Sequence, residues 1–89
     1  MWHYTKPRDG KPSNVLKLRH LSDKNEIAVV FRSSQHVAYH YEGQSKETFD
    51  KILGNESIGS AVHALLIKPK VPFTKQENTE PPEVGIDHS

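Results

Sequence analysis

The stretch EIAVVFRSSQHVAYHYE, residues 26–42, decides the fold. Ile27, Val29 and Phe31 fall on one side of an extended chain, opposite Ala28, Val30 and Arg32. Val37, Tyr39 and Tyr41 do the same, opposite His36, Ala38, His40 and Glu42. A period of two over runs this short is the mark of half-buried strands, and the short polar connector SSQ suits an antiparallel hairpin. Working outward toward the N-terminus, SNVLKLRHL (13–21) repeats the alternation. It sets Leu16, Leu18 and His20 against Val15, Lys17, Arg19 and Leu21, and SDKN closes a second hairpin.

Toward the C-terminus the period becomes helical. Ser45 caps a helix carrying Phe49, Ile52 and Leu53, and Gly54 with Asn55 stops it. A second helix runs from Ser57 to about Ile67 with Ile58, Ala61, Val62, Leu65 and Leu66 on one face, and Pro69 and Pro72 end it. The expected fold is α+β, a three-stranded antiparallel β-meander with two short helices packed on one face. The face bearing Leu16, Leu18, Ile27, Val29, Phe31, Val37, Tyr39 and Tyr41 should meet the helices. The other face should be open, mixing Lys17, Arg19, Arg32, His36, His40 and Glu42 with Val15, Ala28 and Val30. Such a face calls for a second subunit or an anionic ligand to cover it.

Both ends read as loose. Residues 1–12 combine Pro7, Gly10 and Pro12 with charges, and 76–89 are acidic with almost no core-forming side chains. The expected organisation is a flexible basic segment 1–12, a domain 13–75 and a disordered acidic tail 76–89. Trp2 and Tyr4 stand out in the first of these: Trp2 either folds back onto the domain or acts as a lid over a ligand. Charge is divided unevenly. Three Lys or Arg against one Asp give +2 over 1–12, nine against six acids give +3 over 13–75, and four acids give −4 over 76–89. The net charge of +1 is not that of a generic nucleic-acid coat.

Cysteine is absent, which removes disulfides and thiolate metal sites together. With 89 residues, about a third of them hydrophobic, the core is small, and self-association is the remaining staple. No apolar run approaches the roughly 18 residues of a membrane span, so a soluble, cytoplasmic protein without membrane contact is expected.

The order of these pieces resembles the KTSC family, the short domain named for the C-terminus of some lysyl-tRNA synthetases, which also occurs alone in bacteria and phages. The resemblance rests on Tyr39-His40-Tyr41 as the Tyr-x-Tyr of the third strand, Val29 and Phe31 on the strand before it, and Ser57-Ile58-Gly59 opening the last helix. It covers roughly residues 13 to 73. Ala61 and Val62 stand where family members often carry aromatics. The resemblance implies the α+β fold and, as the usual suggestion for the family, RNA binding.

Candidate sites follow from the face assignments. Tyr39 and Tyr41 share a face, so they either stack bases, at roughly 1–3 kcal/mol each, or lie under the helices as core. His36 and His40 share the other face, but four strand positions separate them by about 13 Å, too far for one metal ion. Ser57, Ser60 and His63 lack an oriented acid and an oxyanion hole, so no catalytic residue is assigned. Ser57, Gly59 and Ser60 at a helix start either receive a phosphate or simply cap the helix. His63, Ile67 and Phe73 suggest a contact patch beside the helix.

Together these features predict a non-enzymatic binding domain for RNA or a nucleotide, with no cofactor or metal. Its phosphate contacts would be Lys17, Arg19, Arg32 and the Ser57–Ser60 helix start, with His36 and His40 on the same face and a tyrosine or Trp2 for a base. The alternative is a homo-oligomeric phage-type interaction protein that inhibits a host protein or sequesters a host nucleotide signal.

Overall fold

The computed structural model describes residues 2–5, 14–77 and 86–88. Six strands form one sheet: β1 (His3–Thr5), β2 (Val15–Leu21), β3 (Glu26–Phe31), β4 (Val37–Tyr41), β5 (Phe73–Glu77) and β6 (Ile86–His88). Their spatial order is β5-β4-β3-β2-β1-β6. The first five pair antiparallel with one another, and β6 runs parallel to β1. The expected meander is therefore the centre of a wider sheet. Three of the added strands come from, or reach into, the segments read as tails: Trp2 to Thr5, Gln76 and Glu77, and residues 86–88 all belong to the folded unit. The rest of those tails, residues 1, 6–12, 78–85 and 89, lies outside the described residues.

Two hairpins form as the alternation predicts. The SDKN connector turns with Lys24 N–H donating to the Leu21 carbonyl at 3.2 Å, and Asn25 takes the left-handed conformation (φ 50°) that its short amide side chain tolerates. The second connector includes a 3-10 turn at Arg32–Ser34.

Register departs from simple alternation at one place. A bulge between Val15 and Lys17 inserts Leu16 as an extra residue. The bulge turns Val15 inward to the helix-side core and sends Leu16 to the other face, reversing the expected placement of both.

One helix, α1 (Lys46–Leu53), forms where the caps predict. Ser45 Oγ accepts from Thr48 N–H at 3.3 Å, and Gly54 N–H closes on the Asp50 carbonyl at 2.9 Å. It buries Phe49 and Ile52. The next, α2 (Ile58–Val62), starts at Ser57 and continues directly into a π-helical turn, His63–Ile67. Lys68 N–H reaches back five residues to the His63 carbonyl, and Pro69, without an N–H, cannot extend the ladder. The wider turn shifts the helical phase. Leu66 stays buried while Leu65 is 38% exposed, although the two were expected on one buried stripe. The chain leaves through a Schellman motif, with Val71 N–H to the Leu66 carbonyl, Lys70 N–H to the Ile67 carbonyl, and Lys70 at φ 58°.

The helices cover one face of the sheet. Leu18, Ile27, Val29, Phe31 and Tyr41 pack there with Phe49, Ile52, Val62 and Leu66. The opposite face has a second, smaller cluster of Trp2, Ala28, Val30 and Ala38, with Tyr4, Leu16 and Leu21 partly buried around it.

Candidate functional site

The basic open face expected from the strands is not open. Lys17 and His40 are each only 6% exposed, and Arg19 is half-buried. Trp2 is the cause. Opposite Arg19 in the β1–β2 register, it lays its indole on a floor made shallow by Ala28 and Ala38. Lys17 Nζ and Arg19 Cζ sit 4.6 and 4.4 Å from the ring centroid, with Lys17 also 5.6 Å from the Tyr4 ring. A cation over a shielded aromatic face contributes about 0.5–2 kcal/mol. Arg32 is engaged as well, donating through Nη2 to the Thr5 carbonyl at 3.1 Å and to Thr5 Oγ1 at 3.3 Å. Thr5 Oγ1 in turn donates to the Val15 carbonyl. The three cations assigned to phosphate therefore hold the N-terminal strand against the sheet.

The two histidines expected to share that face are separated by environment. His36 is exposed in the turn before β4, whereas His40 is buried between strands with Nδ1 3.4 Å from Glu26 Oε1, an ion-pair distance without hydrogen-bond geometry. Among the described residues, no group of three His, Asp or Glu is placed to hold a metal ion.

Ser57, Gly59 and Ser60 are brought together with Asn14, Phe31 and His63 around a cleft of about 300 Å³. Ser57 is already committed to the helix start. Ser57 Oγ accepts from Ser60 N–H at 3.3 Å, and Ser57 N–H donates to Asn55 Oδ1 at 3.0 Å. The capping alternative describes these serines.

The tyrosines face the helix side, as alternation requires, but at the margin of the helical cover. Tyr41 is 3% exposed, and burial, followed by the neighbouring Tyr39, pushes its phenol above the usual value near 10. Tyr39 is only partly buried and packs edge-on against Phe31 at 5.3 Å. Strand β5 then adds Phe73, whose ring is 5.2 Å from Tyr39 and 5.5 Å from Tyr41 and which remains 47% exposed. Lys75 lies over Tyr39 at 5.5 Å. Beside them Lys70, Val71, Pro72, Leu66 and Ile67 shape a cleft of about 290 Å³. Phe73 is the most exposed of the large hydrophobic side chains among the described residues, and Lys70 and Lys75 lie near it.

Alternation places Tyr39 and Tyr41 on one face, whereas the chain order sets Phe73 with His63 beside the helix. The register Tyr41↔Phe73 and Tyr39↔Lys75 is what joins them. Phe73-Thr74-Lys75-Gln76-Glu77 carries one apolar residue, so it offered no hydrophobic alternation to read as a strand.

No protein-family model matches the chain, and no curated protein matches it. Among the described residues, no helix is long and apolar enough to cross a membrane.

Proposed function

We propose that this chain is a non-enzymatic binding domain that takes single-stranded RNA on the ring cluster at β5. The observation that carries the reading is Phe73, half-exposed on a base of Tyr39 and Tyr41 with Lys75 and Lys70 beside it. A nucleobase stacks on Phe73, whose far face the tyrosines hold in place, and flanking phosphates meet Lys70 and Lys75. Stacking on a preorganised ring tolerates any base, so recognition is of an unpaired strand rather than of a sequence.

Fluorescence anisotropy with short labelled oligoribonucleotides tests this. Binding at low salt should weaken as salt rises, Phe73→Ala should cost about 1–3 kcal/mol, and Lys70→Ala should lower the salt slope by about one. Arg19→Ala and Arg32→Ala should leave RNA affinity unchanged while lowering stability, because both cations hold β1. Retained affinity in Phe73→Ala, or no binding at low salt, sinks the proposal. Binding of mononucleotides as tight as that of the oligomer would replace it with a nucleotide-binding reading.

A further inference from the structure

We infer that β5 is the seam of a two-fold dimer, its outer edge pairing antiparallel with β5 of a second copy and Gln76 facing the partner's Gln76. Strand β5 ends the sheet, and all five of its side chains are exposed. Its backbone polarity follows from one hydrogen bond. Glu42 N–H donates to the Pro72 carbonyl at 3.0 Å, in the same ladder that sets Tyr41 opposite Phe73. Antiparallel pairs alternate in bonding direction, so Thr74 and Gln76 aim their backbone groups at β4, whereas Phe73, Lys75 and Glu77 aim theirs outward. Those outward groups have no backbone partner among the described residues. An edge without a bulge or an internal proline is a template for another strand.

The sequence of the edge selects a second copy and its register. A two-fold axis through Lys75 would set two ammonium groups against each other, which is unfavourable. An axis through Thr74 would leave Glu77 opposite Val71 with no charge partner. An axis through Gln76 sets Lys75 against the partner's Glu77 and Glu77 against the partner's Lys75, with a neutral pair at the centre. Both members of each charged pair are outward-bonding residues, so each pair also closes with two N–H···O=C bonds. The contact is isologous and self-limiting. It uses the edge and not the Phe73 ring, but it shares Lys75 with the proposed RNA contact, so the dimer is measured without RNA.

The chain has no cysteine, so single cysteines report register cleanly. Across the Gln76 axis the two Cα atoms would be about 4.5 Å apart, within disulfide reach, whereas the two Thr74 residues would be about 13 Å apart. Mild oxidation should convert Gln76→Cys to a covalent dimer and leave Thr74→Cys monomeric. By analytical ultracentrifugation the unmodified chain should be a dimer at micromolar concentration. Glu77→Lys should weaken it on the order of tenfold, and adding Lys75→Glu should restore it. A monomeric unmodified chain, a Gln76→Cys variant that does not cross-link, Thr74→Cys cross-linking as readily, or failure of the charge swap to restore the dimer each overturns the inference.

Discussion

The two faces of the sheet are covered by different means. On one, two amphipathic helices bury a continuous layer of aliphatic and aromatic side chains, from Val15 and Leu18 to Leu66. On the other, a single tryptophan from the N-terminal end lies over small residues, and two cations lie against its ring. The first face is stabilised by area. The second is stabilised by one large ring together with Lys17, Arg19 and Arg32, side chains that would otherwise look like ligands for an anion.

Losing a residue from the first face should therefore unfold the whole domain, whereas losing Trp2 should first release β1. Phe49→Ala should cost about 3–5 kcal/mol in chemical denaturation. Trp2→Ala should cost less, about 2–3 kcal/mol, because detachment of β1 together with β6 from the β2 edge caps the loss. Hydrogen exchange would show the difference directly: β1 and β2 amides should lose protection in Trp2→Ala while the β3–β4 ladder keeps it. Equal loss of protection across the sheet would mean that the two faces form one cooperative unit. Arg19→Ala should cost about 1 kcal/mol, through the packing of its guanidinium on the indole.

Much of the helix-covered face was legible in the chain, and the reason is local. Ile27, Val29, Phe31, Tyr39 and Tyr41 alternate without interruption, and Ser45 and Ser57 sit where caps belong. The opposite face was legible only as a composition. Lys17, Arg19 and Arg32 read as an exposed basic surface because their partners, Trp2 and Thr5, are more than ten residues away in the chain. The candidate site was half legible in the same way: alternation found Tyr39 and Tyr41, but Phe73 and Lys75 join them only through pairing across the sheet.

Two smaller effects sharpen the contrast at the margin of the helical cover. The Tyr41 phenol has a folded pKa above its unfolded value near 10, so the folded chain holds that proton longer. Its contribution is complete below about pH 10 and is lost as pH rises through the folded value. Tyr41→Phe should flatten the alkaline decline in stability, measured by denaturation across that range. Lys70→Gly should change stability least, by a gain of a few tenths of a kcal/mol to about 1, by relieving the left-handed backbone after the π-helical turn. The same substitution should weaken RNA binding, which separates the stability of the turn from the charge it presents.

By itself the sequence determined the period of β3, β4 and α1, the caps of both helices and the face on which the tyrosines lie, because these depend on residues a few positions apart. The tertiary structure alone decided the rest. Trp2 could be placed on the sheet only once β1 had paired with β2, and Leu16 could be turned outward only by a bulge defined against β3. A polar strand such as β5 acquires its place from the β4 backbone rather than from its own hydrophobicity. Pairing between distant segments carries no local periodic signal, so the chain contains its consequences but does not display them.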